Sequence, residues 1–195
     1  MMKCLFVLTL LFSCPFFGQA TVPDSVITYH WNDLPESYNP DTIVSLSFDK
    51  LKLDSLPTKL QEFTNLRYLD LGRNKLTELP GYFVDLKQLR EINLDKNRLA
   101  IFPLEICQLD SLTDLILSRN QISRVPDCIE YAEKLEYIDF YDNPIRHLPE
   151  GFERMRSLIT VDFSGIRFTP DFQEKWIRRM PHVEFIFEVP CDCMK

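Results

Sequence analysis

The chain has 195 residues and sets 29 acidic side chains against 22 lysines and arginines, for a formal charge of −7. That length suits one domain. The acidic balance argues against nucleic acid as a partner, because phosphate binding wants a concentrated basic face.

The chain opens with Lys3, the apolar run CLFVLTLLF and a polar exit at FGQA, which is the layout of a secretory signal at residues 1–20 cleaved after Ala20. The run is too short to span a bilayer. Cleavage removes one cation, leaving 21 against 29 acids and a charge of −8. The same segment also reads as a lipoprotein signal, with Leu11 to Cys14 as the lipobox and Cys14 as the acylated residue, although Phe12 is bulky for that motif. In a bacterial host either reading delivers the protein to an extracytoplasmic, oxidising compartment.

Residues 21–42 form an N-terminal cap, in which Trp31, Leu34 and Tyr38 recur at helical spacing before a break at Asn39-Pro40. A 23-residue repeat then sets in at Ile43: IVSLSFDKLKLDSLP (43 to 57), LRYLDLGRNKLTELP (66 to 80), LREINLDKNRLAIFP (89 to 103), LTDLILSRNQISRVP (112 to 126) and LEYIDFYDNPIRHLP (135 to 149). A sixth, degenerate copy starts at Leu158, so the array covers residues 43–180. Positions 1, 4 and 6 of each repeat are apolar, and positions 4 and 6 alternate with polar residues as a short strand with one buried face requires. Position 9 is Asn74, Asn97, Asn120 and Asn143. Positions 11 and 14 return to apolar residues, and position 15 is a column of prolines that ends any central strand and starts a helical or extended return. Positions 18 and 21 then point inward again. Thr169-Pro170-Asp171 starts a cap helix with Phe172, Trp176 and Met180 at four-residue spacing, and residues 181–195 form a C-terminal cap strand and tail.

One such coil cannot bury its apolar edge, whereas stacked coils share a core and lay their strands side by side. The pattern LxxLxLxxNxLxxLP resembles the 23-residue form of the leucine-rich repeat family and covers about 70% of the chain. The resemblance extends to secreted bacterial proteins of that family. It implies an α/β solenoid, a horseshoe with a concave parallel sheet, short helical or extended convex segments, and protein recognition on the concave side. In such a fold the asparagines form a structural ladder that satisfies backbone groups at the bend. The row lapses at Leu51 and Ile166, the two ends of the array.

Without cleaved Cys4 and Cys14, four cysteines remain, and three full pairings are open to them. Cys107 and Cys128 fall on neighbouring convex segments, at positions where a disulfide could form. Cys191 and Cys193 would need a strained bridge or other partners.

The concave face is expected from the residues between the buried strand positions. It comprises Tyr68, Asp70, Arg73, Glu91, Asn93, Lys96, Asp114, Ile116, Arg119, Tyr137, Asp139 and Tyr141: an acidic and aromatic centre bordered by a basic row. Tyr68, Tyr137 and Ile116 are the expected anchors, with Arg73, Lys96 and Arg119 fixing register by charge. The competing reading, in which alternating charge only keeps an exposed sheet soluble, does not explain Ile116, which is expected to be flanked by tyrosines on the adjacent strands. His30, His147 and His182 match no column containing a nucleophile or base. The pair Asp139 and Asp162, and the loose set Cys191, Cys193 and His182, are weak as catalytic or metal sites. The expectation is a protein without cofactor, metal or catalysis that binds a protein or extended peptide, touching a membrane only if Cys14 is lipidated. A surface-anchored adhesin or scaffold is the alternative.

Overall fold

The alternation read from positions 3 to 5 folds into six strands, and with one strand before the repeats and one after them the sheet has eight, all parallel and hydrogen-bonded in chain order. In this computed structural model, which describes residues 22–23 and 25–188, they are β1 (Tyr29–His30), β2 (Ser45–Ser47), β3 (Tyr68–Asp70), β4 (Glu91–Asn93), β5 (Asp114–Ile116), β6 (Tyr137–Asp139), β7 (Thr160–Phe163) and β8 (Glu184–Phe187). Register follows the repeat, with Tyr68 opposite Glu91, Glu91 opposite Asp114 and Asp114 opposite Tyr137. The central residue of each repeat strand, from Leu46 through Leu69, Ile92, Leu115 and Ile138 to Val161, is at most 1% exposed. The core is thus one column running the length of the stack.

The chain turns at position 8 through the left-handed region. Lys50, Arg73, Lys96, Arg119 and Asp142 all have φ between 53° and 61°, and Gly165 continues the column at 76°. Non-glycine residues enter this region at a cost, and the hydrogen bonds show what offsets it. The position 8 amides of Lys50, Arg73, Lys96, Arg119 and Asp142 donate to the position 7 carbonyls of the next coil, Gly72, Asp95, Ser118, Tyr141 and Ser164.

The asparagine amides lie just beyond this turn. Asn97 donates from Nδ2 to the carbonyls of Leu71, Leu94 and Asp95, and its Oδ1 accepts from Leu76 N–H. Asn74, Asn120 and Asn143 repeat the arrangement. Each amide therefore bonds its own coil and the one before it, inside a largely buried bend.

On the convex side each proline of position 15 precedes a five-residue 3-10 turn: Thr58–Glu62, Gly81–Asp85, Leu104–Gln108, Asp127–Tyr131 and Glu150–Arg154. The proline carbonyl accepts from the residue three later, for example Phe83 N–H to Pro80. Cys107 and Cys128 sit on neighbouring turns, their Cα atoms 5.7 Å apart, and are joined by a disulfide. The ends are aromatic. Trp31 stacks on Phe48 at 4.7 Å, Tyr38 on Phe63 at 5.7 Å, and helix α1 (Pro170–Arg179) buries Trp176 edge-on to Phe152. Thr169 caps α1 by accepting from Phe172 N–H.

The sheet is wider than the six or seven strands the repeats imply, because β1 pairs with β2 from the region before the first repeat. The expected signal at residues 1–20, Cys14, Cys191 and Cys193 lie outside the described residues.

Candidate functional site

Two rows of side chains stand on the open face of the sheet. The position 3 row runs Ser45, Tyr68, Glu91, Asp114, Tyr137, Thr160, and the position 5 row runs Ser47, Asp70, Asn93, Ile116, Asp139, Asp162.

The second row has a structural use that the sequence reading missed. Asp70 Oδ1 accepts from Gly72 N–H, Asn93 Oδ1 from Asp95 N–H, Asp139 Oδ1 from Tyr141 N–H and Asp162 Oδ1 from Ser164 N–H, while Ser47 Oγ accepts from Asp49 N–H. Each side chain caps the backbone two residues on, as short polar side chains do at turns. Asp70, Asn93 and Asp139, expected as free binding groups, are thus committed in part to holding the turn. Ile116 breaks the row, since its side chain has nothing to accept with.

Ile116 itself differs from expectation. It is only 6% exposed, and its register neighbours are Asn93 and Asp139 rather than tyrosines. Tyr137 lies diagonally across β6 and Tyr68 lies two strands away. The physical reason is crowding: side chains on adjacent strands about 4.8 Å apart cover a short branched neighbour. Tyr68 and Tyr137 are half-buried and Tyr141 is 38% exposed, so the aromatic rings carry the accessible surface.

The basic border is largely spent within the protein. Arg119 makes two hydrogen bonds of 2.7 Å to the carboxylate of Asp95, and its guanidinium lies 5.8 Å from the Tyr141 ring centre. Arg73 and Lys50 both pair with Asp49, at 3.3 and 3.1 Å. Among the described residues Lys96 alone of the expected basic trio has no acidic partner. The expectation that Arg73 and Arg119 are free to read a partner's charge is therefore corrected: acids at position 7 of earlier repeats already hold them.

The centre of the face stays acidic. Burial, aided by Asp114 and Asp70, pushes the Glu91 carboxyl up to about 7, and burial pushes Asp139 up to about 6 against the cap it receives from Tyr141 N–H. Asp70 is also raised by burial. Among the described residues the Tyr137 hydroxyl is buried without a hydrogen-bond partner, and burial followed by the charges of Asp139, Asp162 and Asp114 raises its pKa. No group of three or more His, Cys, Asp or Glu is placed to hold a metal among the described residues.

The leucine-rich repeat family profile matches residues 42–99. The chain is built of leucine-rich repeats. Its repeats continue past the matched span in the same sheet register through β6 and β7. Among solved structures it is similar to the functional domain of InlJ from Listeria monocytogenes, described as including a cysteine ladder, at 22% identity and a TM-score of 0.58, covering 76% of this chain and 30% of that one. A leucine-rich repeat protein of Leptospira interrogans matches at 21% identity and a TM-score of 0.49, covering 76% of this chain and 55% of that one. The chain thus spans 55% or less of the length of these two structures. No curated protein matches it.

Proposed function

We propose that this leucine-rich repeat chain is a non-enzymatic interaction module that holds a protein or an extended peptide on its parallel sheet. Solenoids of this kind in general present an extended concave surface for binding. The observation that carries the reading is Ile116: five of the six repeat strands place a side-chain acceptor at position 5, and the central β5 gives that cap up for an apolar side chain beside Tyr137. A surface selected only for solubility and turn geometry would keep the polar residue. Strands of about 3.3 Å per residue and 4.8 Å spacing give eight strands a flat area of roughly 500 Å², short of the about 800 Å² per partner usual in stable complexes. An extended segment or a protruding loop fits this area better than a broad globular surface.

The disulfide between Cys107 and Cys128 supports an extracytoplasmic site of action, since such bonds persist in oxidising compartments. Secretion and lipid anchoring at Cys14 both agree with it, and metabolic labelling with a fatty-acid analogue separates them. The test of the binding face is cross-linking in the native envelope followed by affinity measurement with the captured partner. Replacing Tyr68 and Tyr137 together by alanine should weaken binding by about 2 kcal/mol or more. Unchanged affinity in that variant, with loss on changing the exposed Ile101 of the opposite flank, would place the site elsewhere.

A further inference from the structure

At the β1 end of the face a recess of about 210 Å³ opens between β1 and β4, lined by His30, Ser45, Tyr68, Asp70, Glu91 and Asn93 among others. It is smaller than the roughly 300 Å³ at which pockets for whole small molecules begin, and its size suits one side chain. Glu91 is 9% exposed, and among the described residues its carboxylate receives no hydrogen bond and faces no cation. The register puts Tyr68 on one side of it and Asp114 on the other. Farther along the same row, the Tyr137 hydroxyl is buried without a hydrogen-bond partner among the described residues. Carboxylates on largely buried side chains are ordinarily paired or bonded, so one whose oxygens open only to this recess is placed to receive a donor from outside.

We propose that the recess is the seat for a cationic side chain, the guanidinium of arginine or the ammonium of lysine, carried by the extended peptide that lies on the sheet. The proposal rests on the sheet being the binding face and adds the chemistry of its occupant. An anion would meet Glu91 and Asp70 in the recess, with Asp114 next to Glu91 on the adjacent strand, and an apolar group would meet Ser45, Asn93 and His30. A cation relieves the mutual repulsion of the three acids and supplies the donors that Glu91 lacks. Among the described residues no cation of the protein pairs with Glu91: Arg73 is held by Asp49 and Arg119 by Asp95, and Lys96 makes no ion pair. The raised pKa of Glu91 agrees with a carboxylate left without compensation in the free protein.

The test is titration of the full chain with acetyl-Ser-Arg-Ser-amide, its lysine counterpart and its uncharged citrulline isostere, followed by amide chemical shifts. The arginine or lysine peptide should move the amides of β1 to β4, and the better of the two identifies the cation. The citrulline peptide should bind at least tenfold more weakly. Glu91→Gln should lose tenfold or more, and Asp70→Asn, which keeps an oxygen to cap Gly72, should lose several-fold. Equal binding of citrulline, unchanged binding in Glu91→Gln with a native amide spectrum, or shifts confined to the convex turns would each overturn the proposal. If the cationic peptides fail while the Tyr68 and Tyr137 variant still loses its captured partner, the recess is misassigned and the binding face stands. If the peptides bind while that variant keeps full affinity, the face as a protein-binding site is wrong.

Discussion

Asp95 and Arg119, 24 residues apart, meet across neighbouring coils through a two-pronged ion pair, with Ser118 Oγ donating a third bond of 2.9 Å to the same carboxylate. The pair lies at the border of the sheet, where the Arg119 side chain is 40% exposed and that of Asp95 only 10%. Solvent screens it from one side, so its net contribution is modest. A double-mutant cycle on Asp95→Asn and Arg119→Gln should return a coupling of about 0.5–1 kcal/mol. A coupling near zero would mean that Arg119 is free for a partner after all.

The asparagine ladder predicts a larger effect. Asn97→Ala strands one buried N–H and up to three carbonyls, at an expected cost of about 1–3 kcal/mol. Urea unfolding of the variant measures it, and an unchanged midpoint would show that water replaces the amide. Asn97→Asp should cost at least as much, since a carboxylate has no N–H to donate to the carbonyls of Leu71 and Leu94.

Position 8 can be tested through Lys96, which is exposed and makes no ion pair among the described residues, so that a change there probes the backbone. Lys96→Val should destabilise by about 1–2 kcal/mol, because a branched side chain resists φ near 53°. Lys96→Gly should be neutral or stabilising. Equal thermal midpoints for the two variants would contradict the strained column.

Glu91 gives a pH dependence with a definite sign. Its folded carboxyl titrates near 7 and an ordinary one near 4.5, so the folded state holds the proton more tightly. The associated stability is fully present below pH 4.5 and is lost as pH rises through 7. Glu91→Gln should therefore raise the melting temperature at pH 8, by the equivalent of about 1–2 kcal/mol, and the gain should vanish below pH 4.5. A variant that is less stable at pH 8 would reveal a partner for Glu91 within the chain.

Much of this fold was legible because one period governs it. Leu69, Asn74, Leu76 and Pro80 recur every 23 residues with fixed roles, and a role read once holds for every coil. β1 escaped that logic: Tyr29 and His30 belong to no repeat and become a strand only through pairing with Leu46 and Ser47. The position 5 caps escaped for another reason. An aspartate on an open sheet face looks the same in sequence whether it waits for a partner or holds the amide two residues on, although the recurrence of Asp, Asn or Ser two residues before a turn was a usable signal. The pairing of Arg119 with Asp95 depends on how far two side chains reach across the stack, which spacing alone does not specify.

Reduction of the Cys107 to Cys128 bond, whose ends are 21 positions apart in sequence, should remove about 3 kcal/mol. A thermal melt with and without reductant measures this, and coincident curves would mean the bond is dispensable.

That bond sits near the middle of the stack, and its position matters as well as its strength. In a linear array each coil is held only by its neighbours, so melting advances like a zip from whichever end opens first. A covalent rivet between the third and fourth coils stops both zips at the same place. A molecule pulled or heated at its ends can shed its outer coils and close again around an intact centre, and that centre carries Ile116 and the rings beside it.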